Sequence, residues 1–244
     1  MKEERFFYTP SLKEHKDKDI IGFCDELPQE EAVHAVRVLR LAEGDEINLM
    51  DGAGTFYRAR VTMVTGKRCA YEILSAEPQQ RPWPQHLHIA MAPTKMMDRV
   101  EWMVEKATEI GVDEFSFLNC KFSERRQMRS DRVEKIVVSA MKQSRKAWAP
   151  KVNELTDFKA FIDSHSSEGG YICHCYDEIK REDLFSMLKK EVSPTLVLIG
   201  PEGDFSIDEV RYALDHGFKS VSLGNSRLRT ETAALFAVAQ MHLV

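Results

Sequence analysis

Apolar and polar positions alternate with a period of two through much of the first 75 residues, the spacing of half-buried strands. Residues 46–50 (EINLM) alternate, residues 51–54 (DGAG) form a turn cluster, and residues 55–64 set Phe56, Arg58 and Arg60 against Tyr57, Ala59, Val61 and Met63. Residues 67–74 repeat the habit. One helix interrupts them: over 30–39, Val33, Val36 and Leu39 fall on an apolar side with Arg37 and Arg40 beside it. The pattern predicts a small β-barrel. Its outward arginines face either solvent or an RNA. Residues 77–84 (EPQQRPWP) are proline-rich and polar, which predicts a linker.

Beyond that linker short apolar runs alternate with 3.6-periodic stretches. Strands are expected at 87–91, 115–118, 171–176, 195–199 and 219–223. Helices are expected between them. The helix over 98–110 has Asp98 as N-cap, Glu101 three residues on and Gly111 past its end. The helix over 131–147 carries Val133, Ile136, Val137, Ala140 and Met141 on one stripe and closes before Pro150. Shorter helices are expected near 158–162 and 184–188. Ser206 and Glu209 form a capping box for a helix ending at Gly217, and an apolar helix over 233–243 follows. Strands separated by helices imply an α/β domain with a largely parallel sheet. The expected organisation is a β-rich domain over 1–76, a linker over 77–84 and an α/β domain over 85–244.

Composition adds boundaries to this picture. Hydrophobic residues at 43% and charged residues at 30% are those of an ordinary globular protein. No apolar run approaches the roughly 20 residues of a membrane helix. The opening MKEERFFYTP has no apolar core of a signal peptide, so the cytoplasm is the expected compartment. Cys24, Cys69 and Cys120 are isolated, and Cys173 and Cys175 flank His174 without a second ligand pair, so no metal is expected.

Net charge is −5, yet residues 121–151 hold ten basic and three acidic residues, +7 within a chain otherwise at −12. Such a basic segment on an acidic chain is the footprint of a polyanion site, or else a solvated basic helix face.

In parallel α/β sheets ligands bind at the carboxyl ends of strands. Two glycine turns are expected there, Gly200-Pro201-Glu202-Gly203 and Leu223-Gly224, the second followed by Arg227, Arg229, Thr230 and Glu231. Glycine lets a ligand approach the bare main chain, although it also serves tight strand-to-helix turns. The chain has no dinucleotide G-x-G-x-x-G, phosphate loop, G-x-S-x-G elbow or H-E-x-x-H.

The strings IGPEGDFS (199–206) and LGNSRLRTETAA (223–234) resemble the signature loops of the knotted SPOUT methyltransferases. With HAVRVLRLAEGDEI (34–47), EKATEIGVDEF (105–115), FSERR (122–126) and QSRK (143–146), the chain resembles the 16S ribosomal RNA uridine-N3 methyltransferases almost end to end. The resemblance implies a PUA-like barrel followed by an α/β domain with a C-terminal trefoil knot. It also implies a homodimer that uses S-adenosylmethionine on the small-subunit RNA. Carried over by position, Ile199, Gly200, Gly203, Leu223, Gly224, Leu228, Thr230 and Ala233 wrap the cofactor. Arg229 faces the substrate, and Arg125, Arg126 and Arg145 face the RNA. Two departures stand out. Asn225-Ser226 and Arg227 replace the family's Pro-Arg-aliphatic pattern, and Asp204 stands where a second glycine is common.

The expected reaction is methyl transfer from a sulfonium to uracil N3, which must lose its proton. Arg229 is the candidate for stabilising the resulting charge, unless it only binds phosphate. Glu202 and Glu231 are candidate proton acceptors beside solvent itself. Arg37, Arg40, Arg58 and Arg60 are candidates for recognising RNA shape. The alternatives are a SPOUT enzyme acting on a transfer-RNA base or a ribose 2′-hydroxyl, a non-catalytic RNA-binding protein, and a cofactor enzyme on an ordinary α/β fold.

Overall fold

The computed structural model describes residues 5–15, 20–83, 85–167, 169–190 and 195–244; Pro84, the end of the expected linker, lies outside them. The chain forms two compact units, Met1–Pro82 with Met141–Ala149, and Trp83–Ala140 with Pro150–Val244.

In the first unit β1 (Phe6–Tyr8), β2 (Cys24–Glu26), β3 (Glu46–Met50), β4 (Thr55–Thr65) and β5 (Arg68–Pro78) make one sheet in the order β1-β3-β4-β5-β2. Its pairings are antiparallel except that of β1 with β3. The alternation read along β4 is observed: Tyr57, Ala59 and Val61 are buried while Arg58 and Arg60 are exposed. Buried Asp51 holds the turn before it, accepting the Ala53 and Thr55 amides at 2.7 and 3.0 Å. β1 and β2, three residues each, are too short to display a period, and the pattern does not predict them. The helix expected over 30–39 is instead α1 (Gln29–Val33) running into a π turn, His34–Val38, where the Leu39 amide reaches back five residues to His34 O.

Met141–Ala149 closes on this unit by main-chain bonds, Gly54 N to Ala147 O and Ala149 N to Gly52 O, both 2.9 Å. Gly54 is needed there, since a Cβ would stand 2.8 Å from Trp148 Nε1.

The second unit runs β6 (Leu87–Met91), α2 (Met97–Ile110), β7 (Glu114–Asn119), α3 (Ser130–Ser144), β8 (Lys151–Asp157), α4 (Phe158–His165) and β9 (Gly170–Cys173). It continues with β10 (Glu182–Asp183), α5 (Leu184–Leu188), β11 (Thr195–Ile199), α6 (Ile207–Asp215), β12 (Phe218–Ser222) and α7 (Thr230–His242). The sheet order is β10-β12-β9-β11-β6-β7-β8, with every pairing parallel. Leu87, Ile89 and Met91 of β6 face a core shared with α2, α3, α5 and α7. Ala90, with Leu196 and Leu198 of β11, faces α4 and α6. Covered on both faces, β11 is buried throughout and apolar from Leu196 to Ile199.

Two expectations are corrected, and one strand is unexpected. Asp98 is not an N-cap: α2 starts at Met97 after Met96, and Asp98 lies in the first turn, where its charge favours the helix N-terminus. α3 stops at Ser144, before Pro150, because Arg145 turns to φ 54°. β8 escapes the sequence pattern because its residues, KVNELTD, are those of a half-exposed edge strand with no apolar run.

A buried polar cluster bridges β6, β7 and β8. Asn153 Nδ2 donates to Ser116 Oγ at 2.8 Å and to Glu114 Oε1 at 2.6 Å. The Ser116 hydroxyl is thereby left to donate to His88 Nε2, 2.8 Å away. Burial pushes the His88 imidazole down to about 4, against the pull of Glu114. An unfolded histidine titrates near 6.5, so below that pH the unfolded chain takes up a proton that the fold refuses. Stability should therefore fall by about 2 kcal/mol between pH 7 and pH 5 from this group alone. Urea unfolding of His88→Gln should lose that part of the pH dependence; a variant as acid-sensitive as the parent would exclude His88 as its source.

Candidate active site

Register sets the geometry of the site. Ile199 pairs with both Met91 and Cys173, Val221 with Cys173, and Met91 with Phe117. The carboxyl ends of β12, β9, β11, β6 and β7 therefore stand side by side, and the loops that follow them share one rim.

Long-range polar contacts bind these loops together. Glu202 Oε1 accepts the Lys95 amide at 2.8 Å. Arg125 donates Nε to Thr94 O (3.1 Å) and Nη2 to Lys95 O (2.6 Å). Glu209, fixed in the capping box with Ser206, accepts the Lys121 amide at 2.7 Å. Arg99 Nη1 meets Glu231 Oε1 at 2.6 Å, and Glu231 is only 7% exposed. Asp204 adopts φ 68°, a left-handed conformation that Asp tolerates better than most residues, and its Oδ2 accepts the Cys175 amide at 2.8 Å. A glycine suits that backbone equally; the aspartate adds a tie to the neighbouring loop.

The residues singled out from sequence thus fall into distinct groups. Gly203, Gly224 and Arg229 are exposed on the rim, with Leu223, Leu228 and Ala233 partly buried beside them. Thr230 is buried at the start of α7. Gly200 is buried, and a Cβ there would stand 2.9 Å from Phe205 N. The Ile199 side chain is 3% exposed and packs in the core, so only its main chain faces the rim; its carbonyl accepts the Ala92 amide at 3.0 Å. Glu202 and Glu231 each hold a neighbouring loop or helix. Arg229, which precedes α7, makes no side-chain hydrogen bond or ion pair among the described residues.

The basic residues separate too. The Arg125 guanidinium is spent inside the second unit, whereas Arg126 is exposed there. Arg145 belongs to the first unit, its guanidinium 6.0 Å from the Phe6 ring centroid. Arg37 and Arg40 are exposed in that unit, and Arg58 and Arg60 flank Glu46 at 2.5 and 4.0 Å. Sequence reasoning misses Thr94, Lys95 and Arg99; their place just after the apolar run of β6 is the signal that could have found them.

The two turns fit S-adenosylmethionine. A Cβ at Gly224 would meet nothing within 4 Å, and one at Gly203 only Phe122 Cβ, at 3.5 Å. Bare main chain beside half-buried leucines suits a ligand with an apolar nucleoside body and hydrogen-bonding edges.

Both units, the parallel α/β unit with open glycine turns at its strand ends and the small β unit, match models of RNA methyltransferase domains. The family model described as an RNA methyltransferase domain matches residues 81–242, and that of an RNA methyltransferase PUA domain matches residues 27–74. A ribosomal RNA small subunit methyltransferase E from Synechocystis sp. is 30% identical over 214 residues, covering 84% of this chain and 68% of its own. Among solved structures, a probable rRNA-methyltransferase from Porphyromonas gingivalis is 40% identical, with a TM-score of 0.85 and coverage of 98% of this chain and 97% of that one. A ribosomal RNA small subunit methyltransferase E from Neisseria gonorrhoeae, bound to S-adenosyl methionine, is 27% identical, with a TM-score of 0.81 and coverage of 99% and 98%. The chain belongs to the ribosomal RNA small subunit methyltransferase E family.

Proposed function

We propose that this protein methylates N3 of a uridine in the decoding region of 16S ribosomal RNA, in the cytoplasm, with S-adenosylmethionine as donor. Family membership and the two open turns support the donor and the substrate class. The observation that carries the chemistry is Arg229, exposed beside the second turn and uncommitted to any partner among the described residues.

In this reading the main chain around Ile199, Gly200, Gly203, Leu223 and Gly224, with Leu228, Thr230 and Ala233, holds the cofactor. Bound there, S-adenosylmethionine supplies an electrophilic methyl group on a sulfonium. Rigidity is the protein's contribution, because the contacts of Glu202 and Arg125 with Lys95, and of Asp204 with Cys175, fix the loops that position the reactants. Arg229 stabilises the negative charge on the uracil imide as N3 loses its proton. Of the candidate proton acceptors, the exposed Glu202 is better disposed than Glu231, which is buried against Arg99. Solvent serves equally.

The proposal extends to architecture. The first unit forms the RNA-recognising domain, using Arg37, Arg40, Arg58 and Arg60, and precedes a knotted methyltransferase domain. Of the linker expected over 77–84, Glu77 and Pro78 end β5 and Trp83 is buried in the second unit's core. Of the domain expected over 85–244, Met141–Ala149 joins the first unit. Arg125, Arg126 and Arg145 complete the RNA-facing set, with Arg125 acting chiefly through the loop it braces.

The working form is a homodimer. α7 is apolar almost all round, which predicts burial, yet Phe236 is 43% exposed, and Trp102 on the adjacent α2 is 44% exposed. Phe236→Glu with Trp102→Glu should sediment as a folded monomer; a dimer unchanged in both size and stability would place the interface elsewhere.

The deciding experiment is methylation of naked 16S RNA and of 30S particles with labelled S-adenosylmethionine, followed by mapping of the product. Methyl-N3-uridine at one site is expected. Methyl groups only on transfer RNA or on ribose, or no heat of S-adenosylmethionine binding in calorimetry, would overturn the reading.

A further inference from the structure

One rim of the sheet carries a cavity of about 350 Å³, of whose lining only Arg126 enters the assignments above. Lys121 and Arg126, from the loop after β7, and Lys159, from the first turn of α4, line it with Asp157, Asp208 and Glu209. Three cations and three carboxylates leave the cavity without net charge, but two of the carboxylates are turned to main-chain amides. Asp157 Oδ1 caps α4 by accepting the Lys159 amide at 3.0 Å. Glu209 accepts the Ser206 amide and hydroxyl through Oε2, both at 2.8 Å, and the Lys121 amide through Oε1. Among the described residues, Asp208 alone of the three faces a cation of the cavity. It lies 3.7 Å from Lys121 Nζ, and both side chains are well exposed, so their pairing is worth little and exchanges readily.

The cations are available by comparison. Arg126 has no hydrogen bond or ion pair among the described residues, and Lys159 Nζ rests 5.0 Å from the Tyr212 ring centroid. The N-termini of α4 and α6 open on the same cavity, their amides turned to their own caps, Asp157 in α4 and Ser206 with Glu209 in α6.

Position gives this charge a purpose. Phe122, next to Lys121, lies against Gly203 of the first turn, and Ser206, on the cavity wall, follows that turn by three residues. The cavity is therefore the neighbour of the cofactor turn along the rim. We infer that it is a phosphodiester site, in which Lys121, Arg126 and Lys159 grip the RNA backbone beside the nucleotide being methylated. The inference rests on the proposed methylation of RNA and adds to it a second anchor. Lys159 lies outside the basic run of residues 121–151 and reaches the site only through the packing of α4.

The test is the salt dependence of binding of a 16S RNA transcript to the full chain and to Lys121→Ala/Lys159→Ala. Removing one cation from a phosphate should reduce the slope of log affinity against log salt by about 0.7 for single-stranded RNA. The double variant should thus show a slope smaller by about 1 to 1.5 and an affinity about tenfold lower at moderate salt. Its S-adenosylmethionine affinity should be unchanged, because neither side chain belongs to the glycine turns. Asp208→Ala, which removes the competing carboxylate, should tighten RNA binding severalfold. Slopes and affinities equal to those of an RNA-binding parent would overturn this inference alone. A parent that bound no RNA would remove the functional reading and this inference with it.

Discussion

Arg229→Ala is expected to lower methyl transfer by about 10²–10³-fold, the usual loss when one preorganised donor to a developing anion is removed. S-adenosylmethionine affinity and thermal stability should be unchanged. The expectation is clean because the Arg229 side chain supports nothing else among the described residues. Its carbonyl accepts the Ala233 amide at 2.7 Å, a main-chain bond that alanine keeps. The loss should appear in kcat, since the charge develops only as N3 is deprotonated. Arg229→Lys should recover part of it, because a point charge replaces a planar fork. Full turnover in Arg229→Ala, measured with saturating RNA, would leave Arg229 at most a phosphate contact.

Gly200→Val is expected to weaken S-adenosylmethionine binding more than tenfold and to lower stability by about 1–3 kcal/mol, the range for forced overpacking. The cause is contact. A Cβ at this position would stand 2.9 Å from Phe205 N, 3.1 Å from Phe205 Cδ2 and 3.2 Å from the Asp204 carbonyl carbon, and a main chain cannot swing aside as a side chain can. The turn that would have to open is closed by the bond from Asp204 N to Pro201 O, 2.9 Å, and braced by Asp204 against Cys175. Gly224→Ala is the contrasting variant. It meets no neighbour but sits at φ 102°, so it should cost conformational strain of about 1–2 kcal/mol without blocking the first turn. Calorimetry with S-adenosylmethionine separates the two, and parental affinity in Gly200→Val would mean that the first turn is not part of the cofactor cradle.

Much of this site is legible along the chain. The run 195–199, the turn after it and the capping box of Ser206 and Glu209 stand in the structure where the sequence puts them. So does the apolar helix that follows the second turn, begun three residues earlier at Thr230. β8 is not legible, because an edge strand has only one well-covered side and needs no apolar run. The roles of the charged residues are not legible either. Arg125 reads as an RNA contact in a basic run, yet its guanidinium is taken by two carbonyls of the loop after β6. Glu231 reads as a loop acid and is instead buried in an ion pair with Arg99.

The sequence by itself determined the alternation of strands and helices, the two glycine turns at strand ends and the membership those turns signal. Periodicity, capping and turn chemistry all act within a few residues of one another, so a linear reading captures them. Only the tertiary structure decided that Lys95 meets Glu202 across 107 residues and Arg99 meets Glu231 across 132. It also decided that Met141–Ala149 joins the first unit, and that Lys159 shares a cavity with Lys121. Such pairs depend on which strands become neighbours in the sheet, and that follows from burying all the apolar faces at once, not from the residues on either side.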